Sequence, residues 1–454
     1  MKKDNINISL IALGCSKNLV DAECMIRLLK DAGYNVINDI EDSDVVIINT
    51  CGFIESAKRE AIDTILQCAD IKNDDDSRLK YIVVTGCLSQ RYPEEILKEL
   101  PEVDALLGTA HYNEIVRTVD DLFGDSEGAD KDCFVDQAGS LDHLTIDKEI
   151  SSESFAWIKI GEGCLHRCAF CAIPLIRGKF RSRPLEDIVR EAEVVAAKGY
   201  KEIVLAAQDT TNYGIDLYKE RKTAELIRRL SLIDGIEMIR VMYGYMDGIT
   251  DELIEEVRTN PKAAHYFDIP IQHGSDKILK AMNRFDTEAL ITARLANIRE
   301  QIPDAIIRTT VMVGFPGETE EDFNKLKENL RIWKFDRLGC FIFSPEEGTK
   351  AYDMPEQVPE DVKQKRYDEI YALQQDISRE VTKKRVSTET VVTIDSVAED
   401  GIFYRGRSYG EAPEDDPVIF VLVPDDKDID IQIGGRYPVR IVDSSDYDMT
   451  GVII

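Results

Sequence analysis

The residues best able to do chemistry in this 454-residue chain are its cysteines, at positions 15, 24, 51, 68, 87, 133, 164, 168, 171 and 340. Three fall together: Cys164, Cys168 and Cys171 form C-x3-C-x2-C within GEGCLHRCAFCAIPLIRGKFRSRP (161–184). Three thiolates can hold three irons of a four-iron cluster and leave the fourth iron open to a ligand. A structural zinc site wants a fourth protein ligand, and only His166 is near enough in sequence to supply one. A second set, Cys15, Cys51 and Cys87, repeats a spacing of 36 residues. Each closes an apolar run: IALGC, IINTC and VVTGC. Spacing alone leaves this set open between a three-thiol metal site and buried structural cysteines. Cys24, Cys68, Cys133 and Cys340 lack such placement and read as core residues.

The elements that must present these thiols are legible as alternating strands and helices. Strand candidates at 6–14, 45–50, 81–86 and 103–108 are interleaved with helical patterns at 18–33 and about 54–69. Such alternation implies a parallel sheet covered on both faces, a doubly wound domain of flavodoxin-like outline. In such a sheet the strand ends converge on one edge, where ligands bind, so thiols 36 residues apart can meet. From about 117 to 153 the chain turns polar and acidic, DLFGDSEGADKD being its least foldable part. A second series follows, with strands at 157–161, 202–208, 238–243, 266–272, 306–314 and 338–344 separated by helices. Six repeats suit an open, partial (β/α)6 barrel, with the C-x3-C-x2-C loop just after its first strand. A charged helical stretch (359–384) leads to short alternating strands broken by Gly, Pro and Asp, which read as a small antiparallel β-barrel.

Composition narrows the function classes. Asp and Glu number 86 against 56 Lys and Arg, a net charge of −30 and a pI near 4.6. So acidic a chain is a poor candidate for broad nucleic-acid binding, and a cationic partner protein suits it better. No apolar run reaches the length needed to cross a bilayer. The opening MKKDNINISLIALGC reads as a buried first strand rather than a signal peptide, because its apolar stretch is too short. A cytoplasmic protein with reduced thiols is the expectation.

With Phe170 just before its third cysteine, the C-x3-C-x2-C motif resembles the radical S-adenosylmethionine superfamily. Both cysteine sets together resemble the methylthiotransferases, and the likeness spans roughly 5–454. Among these, GCSKNLVDAE (14–23), NTCGFIESAKRE (49–60), GCLSQRY (86–92), AQDTTNYG (207–214), DIPIQHGSDKILKAMNR (268–284) and VGFPGETEEDF (313–323) resemble the RimO family. The sister MiaB family, which modifies an isopentenylated adenosine of tRNA, is the alternative; it carries an Arg-bearing stretch where this chain reads GFIESAK. The resemblance implies a methylthiotransferase domain (5–117) holding an auxiliary cluster on Cys15, Cys51 and Cys87, and an acidic linker (118–150). It further implies a radical domain (151–384) with a cluster on Cys164, Cys168 and Cys171, and a TRAM-type barrel for substrate recognition (385–454).

The implied cofactors are two 4Fe-4S clusters and S-adenosyl-L-methionine. One S-adenosylmethionine would methylate a sulfur on the auxiliary cluster; a second, cleaved reductively, would yield a radical that takes hydrogen from an aspartate β-carbon of small-subunit ribosomal protein twelve. The implied partners are that basic ribosomal protein, an electron donor such as flavodoxin or ferredoxin, and a sulfur donor; tRNA is the less expected partner, and no membrane is expected. Cofactor contacts are expected among Gln208, Asp209, Gln272, Arg308 and Gly314, in or just after predicted barrel strands, with a satisfied structural role the alternative for each; Gln272 neighbours His273, and Gly314 opens GFPGE, whose glycines could equally serve only the turn. His166 and Arg167 take outer or surface roles. Charge supports the same branch: residues 385–454 hold six Lys and Arg against fifteen Asp and Glu. Acidic runs such as EAPEDD (411–416) and PDDKDID (424–430) would steer a basic protein in.

Overall fold

A computed structural model describes residues 2–124, 133–135, 141–424 and 429–454. The first sheet is built from β1 (Asn7–Ala12), β2 (Asn35–Val36), β3 (Val45–Thr50), β4 (Tyr81–Gly86), β5 (Ala105–Leu107) and β6 (Cys133–Phe134). Helices α1 (Ser16–Asp31), α2 (Glu55–Lys72), α3 (Cys87–Arg91), α4 (Pro93–Glu99) and α5 (Ile115–Leu122) connect them. The order β2-β1-β3-β4-β5-β6, parallel throughout, is the flavodoxin-like winding expected from the alternation. The six residues of β3, VVIINT, are all buried, as a strand covered on both faces must be. The two-residue edge strand β2 escaped the sequence reading because it has no apolar run to announce it.

The central domain holds six strands around one concave face: β7 (Ala156–Lys159), with β8 (Gly161–Glu162) and β9 (Arg181–Ser182) pairing beside it, then β10 (Glu202–Ala206), β11 (Met238–Val241), β12 (Tyr266–Asp268), β13 (Ile306–Val313) and β14 (Arg337–Ile342). A parallel bridge between Ile239 and Ala263 joins the β7-β10-β11 and β12-β13-β14 halves, leaving β7 and β14 as open edges. This is the expected open (β/α)6 barrel. Its helices are α6 (Ile173–Ile176), α7 (Leu185–Ala197), α8 (Thr223–Ser231), α9 (Asp251–Thr259), α10 (Asp276–Ala281), α11 (Glu288–Gln301), α12 (Glu320–Trp333) and the 26-residue α13 (Glu360–Arg385). One apolar core, including Ile158, Leu205, Leu226, Ile271 and Phe323, packs the outer helices on the sheet. A second, inside the curve, joins Trp157, Val204, Met242 and Tyr266 to Val20 and Cys24 of α1.

The last five strands, β15 (Glu389–Val397), β16 (Tyr404–Arg407), β17 (Ile419–Leu422), β18 (Arg436–Ser444) and β19 (Met449–Ile453), close a small barrel. Four of its pairings are antiparallel, but β17 pairs β19 in parallel, so an all-antiparallel barrel is corrected in that one register. Closure removes the free edges that short strands would otherwise expose.

Two further expectations change. Where it is described, the stretch read as an acidic linker (118–150) is anchored: α5 runs into it, and β6 adds to the first sheet. Buried His143 and Lys148 bond Asp21 and Glu23 of α1. Polar composition hid this because the buried groups there are charges with distant partners. Most of DLFGDSEGADKD, from Asp125 on, lies outside the described residues, as do residues 425–428 of the second acidic run.

The first acidic run is partly internal, although Glu414 and Asp415 stay exposed. Glu411 is fully buried, accepting from the Ser408 N–H and hydroxyl at 3.0 and 2.7 Å and pairing with Arg337 and Arg385. Asp416 accepts from the Tyr266 hydroxyl and the Ala412 N–H. The loop that follows β16 thus packs inside the radical-type barrel, and Arg240 donates to its Ser408 and Tyr409 carbonyls. Glu411→Ala is expected to cost about 3–5 kcal/mol, since it leaves buried arginines unpaired. A lowered first unfolding transition, with early proteolytic release of the carboxy-terminal barrel, would show it.

Candidate active site

The first three cysteines are brought together by sheet register. Ala12 of β1 pairs with Asn49 of β3, and Thr50 pairs with Gly86 of β4, so Cys15, Cys51 and Cys87 leave neighbouring strands at the same edge. That edge is the carboxyl end of the sheet, at the switch point between β1 and β3. Two asparagines lace the loops. Asn18 donates to the Leu13 and Thr50 carbonyls at 3.0 and 2.9 Å, and Asn49 donates to the Asn18 carbonyl at 2.8 Å. Gly14 is obligatory here: at φ +89°, a Cβ on it would stand 2.7 Å from Cys51 Cβ. Cys51 and Cys87 are buried, and Cys15 is the exposed N-cap of α1. Burial pushes the Cys51 thiol up to about 12, with Cys87 and Cys15 adding to the rise. Burial also raises Cys87, against the pull of Arg177.

Cys164, Cys168 and Cys171 all line one open cavity of about 380 Å³ behind the β8 turn. Their loop is held from outside. The Ala169 N–H donates to the Met282 carbonyl, the Ala351 N–H to the Ala169 carbonyl, and the Asn283 amide to the Arg167 carbonyl. The AMNR end of the long motif therefore serves the cysteine loop. Tyr245 Oη lies 3.7 Å from Cys168 Sγ, and Arg284 Nη1 lies 4.0 Å from it. His166 stacks on the Tyr245 ring at 3.7 Å, and its Nε2 lies 2.9 Å from Asp209 Oδ2. His166 is thus beside the site, as expected, and Arg167 is exposed. Burial pushes the Cys164 thiol up to about 12.

The segments that carry the two thiol sets touch. Cys87 packs against Ala172 and Ile176, in the segment directly after Cys171. At that junction lies the fully buried Arg177, which sequence reasoning missed. Its Nη2 donates to Cys87 Sγ at 3.3 Å and to Asn18 Oδ1, and its Nη1 donates to Asp21 and Glu162, each at 2.9 Å. Lys159, also buried, pairs with the same two carboxylates. The available signal was Lys159 itself, a charge inside the strand WIKI, where burial demands a partner.

The expected cofactor residues divide. Gln272, at φ +69°, lines a second cavity of about 840 Å³ with Phe53, Phe170, Thr310, Met312 and Phe341, and no hydrogen bond engages its side chain among the described residues. Gln208 donates to Glu162 at 2.7 Å, close to Arg177. Asp209 is spent on Thr211, Asn212 and His166, so it orients the cysteine loop. Arg308 pairs with Asp268, Asp415 and Asp416, which commits it to the inserted loop of the small barrel. Gly314, at φ +77°, gives its N–H to Glu318, as does Phe315. Cys24, Cys68 and Cys340 are buried as expected; Cys133 is exposed on β6, correcting the core reading.

Glu318 carries a pH signature. Burial raises its carboxyl to about 7, against the pull of Arg366 and the two N–H groups. A carboxyl raised in the fold stabilises it while protonated, below its unfolded value near 4.5, and loses that contribution as the pH rises through 7. Glu318→Gln keeps an acceptor for both N–H groups and removes the charge. The variant is expected to gain stability over the parent at pH 8, by at most about 3 kcal/mol, and to match it near pH 4.5. Melting at both pH values checks this.

Family models match the three parts in order: Uncharacterized protein family UPF0004 over residues 7–108, the Radical SAM superfamily over 158–330 and the TRAM domain over 386–454. The chain is 44% identical to the ribosomal protein uS12 methylthiotransferase RimO of Acetivibrio thermocellus, covering 100% of this chain and 99% of that one. It is 45% identical to the enzyme of the same name from Clostridioides difficile, over 99% of both. The chain belongs to the RimO family. Among solved structures, this family member is similar to the radical S-adenosylmethionine methyltransferase TsrM of Kitasatospora setae, with a TM-score of 0.53, 12% identity and 77% of each chain covered. It is also similar to the radical enzyme OxsB, with a TM-score of 0.50, 13% identity, and 82% of this chain and 56% of that one covered. At those identities the likeness is one of fold. Among the described residues no helix is long and apolar enough to cross a membrane.

The donor chemistry fits iron–sulfur clusters better than single ions. Among the described residues no three His, Cys, Asp or Glu converge closely enough to hold one metal ion. A cluster that takes each thiolate on a different iron needs its ligands spread more widely. The Arg177 N–H on Cys87 Sγ supplies the kind of hydrogen bond that tunes cluster sulfurs.

Proposed function

We propose that this chain adds a methylthio group to the β-carbon of an aspartate in ribosomal protein uS12. It would use S-adenosylmethionine and 4Fe-4S clusters on Cys164, Cys168 and Cys171 and on Cys15, Cys51 and Cys87. The observation that supports this reading is the contact of Cys87 with Ala172 and Ile176, in the segment directly after Cys171. An unactivated β-carbon has no acidic proton to lose at neutral pH, so acid–base catalysis alone cannot serve. When bound, the clusters and cofactor supply a radical able to take that hydrogen, and the sulfur to replace it.

The chain's own residues do the positioning. Asn18, Asn49 and Arg177 fix the first three thiols relative to the radical loop. Tyr245, Arg284 and the Asp209–His166 pair fix Cys168 and its loop. Phe53, Phe170 and Phe341 give the larger cavity an apolar lining, and Gln272 offers it an amide that no described residue engages. On the small barrel, the hairpin tip exposes Val397 and Ile402 beside Glu399 and Asp400, a surface suited to a basic protein. An electron donor of the flavodoxin or ferredoxin type and a sulfur donor complete the reaction's needs.

The test is anaerobic turnover with reconstituted enzyme, S-adenosylmethionine, sulfide and reductant, offered a uS12 peptide and tRNA together. Mass spectrometry is expected to find H replaced by SCH3 on one aspartate of the peptide. The same gain on tRNA alone would assign the MiaB-type substrate instead.

A further inference from the structure

The cavity holding Cys164, Cys168 and Cys171 opens on a locally basic surface. Its lining includes Arg167, Lys179 and Lys350, all exposed and none in an ion pair among the described residues. Beside them stand Leu165 and Leu175, 46% and 57% exposed. These three cations and two leucines form one patch on a chain whose acids outnumber its bases by 30. Cations elsewhere are widely committed, as Lys58 and Arg91 are to Glu346. A small apolar centre with a charged rim is the anatomy of a transient protein interface, and electron-transfer encounters lie at the small end of that range.

We infer that this basic, leucine-centred rim docks the acidic one-electron carrier protein that reduces the radical cluster. The inference rests on the cluster assignment proposed above. Electron tunnelling weakens exponentially with distance, so a carrier must seat its cofactor near the thiols, and this cavity is where they reach the surface. One electron leaves the carrier's reduced flavin or iron–sulfur group and enters the cluster, with no bond formed at that step. Charge complementarity supplies orientation and on-rate for a partner that must also leave.

The experiment compares the reconstituted parent with Lys179→Glu/Lys350→Glu, and with Lys179→Ala/Lys350→Ala as the milder variant. Deoxyadenosine formation is followed with reduced flavodoxin and, separately, with dithionite, which needs no docking. The flavodoxin-driven rate is expected to fall about tenfold in the charge-reversed variant and less in the alanine variant. The parent's rate should drop with added salt and the variant's should not. Dithionite-driven rates and iron content should stay equal. Unchanged flavodoxin rates with parental salt dependence would place docking elsewhere and overturn the inference. Parallel loss with both reductants would overturn it too, by making the lysines part of cluster or fold. Tight tRNA binding that the variant loses would reassign the patch to a nucleic acid. If the parent makes no deoxyadenosine even with dithionite, the proposed function itself fails, and the inference with it.

Discussion

Replacing Arg177 by glutamine is expected to destabilise the chain by about 3–5 kcal/mol and to lower the reduction potential of the cluster proposed on Cys15, Cys51 and Cys87. The stability loss follows from its partners. Arg177 answers Asp21 from the first domain and Glu162 from the second, and all three side chains are buried. Without the guanidinium, Asp21 and Glu162 keep Lys159, His143 and the Gln208 amide but lose one of the two cations they share, out of reach of water. The potential shift follows from a separate contact. An N–H directed at Cys87 Sγ stabilises the more negative, reduced cluster, so its removal favours the oxidised one. Arg177→Lys separates the two effects, because it keeps the charge and loses the planar fork. That variant should recover much of the stability while the potential stays low. Denaturant melting and a redox titration followed by electron paramagnetic resonance are the measurements. A lysine variant whose potential equals the parent's would remove Arg177 from the cluster's surroundings.

Gly86→Ala is expected to abolish the proposed auxiliary cluster site while leaving the proposed radical cluster site loaded. Gly86 precedes Cys87 at φ +100°, and a Cβ there would lie 2.4 Å from the Thr50 carbonyl and 2.5 Å from Asn49 Oδ1. The backbone conformation alone costs a side-chain-bearing residue about 1–3 kcal/mol. The clash adds a comparable amount, since its neighbours are main chain and an asparagine already bonded to Asn18. A total of about 3 kcal/mol or more would fall on the loop that aligns Cys87 with Cys51. Iron per chain should drop by about half, methylthio transfer should vanish, and deoxyadenosine should still form. Gly33→Ala is the control: φ is +93° there, but nothing lies within 4 Å of the added carbon. It should cost only about 1–2 kcal/mol and keep its iron. Equal iron loss in both variants would mean that general instability, rather than the Cys87 loop, empties the site.

What the amino-acid sequence determined by itself is whatever one stretch of chain encodes about its own buried face. Runs such as VVIINT and IIRTTVMV, and the helical periods between them, announced both parallel sheets and their alternation, because burial on a strand or helix leaves a local period. The cysteines were placed at strand ends for the same reason. Tertiary structure alone decided which charges meet. Arg177 and Asp21 are 156 residues apart, and Arg407 and Glu202 are 205 apart, yet each pair is buried. Arg308 read as a cofactor residue from its strand position, but Asp415 and Asp416 of an inserted loop claim it. EAPEDD read as one acidic steering run, but Glu411 lies wholly inside while Glu414 and Asp415 stay exposed. An isolated charge in sequence carries no period and does not name its partner. Only the packing of three domains against one another supplies the counter-charge that makes its burial tolerable.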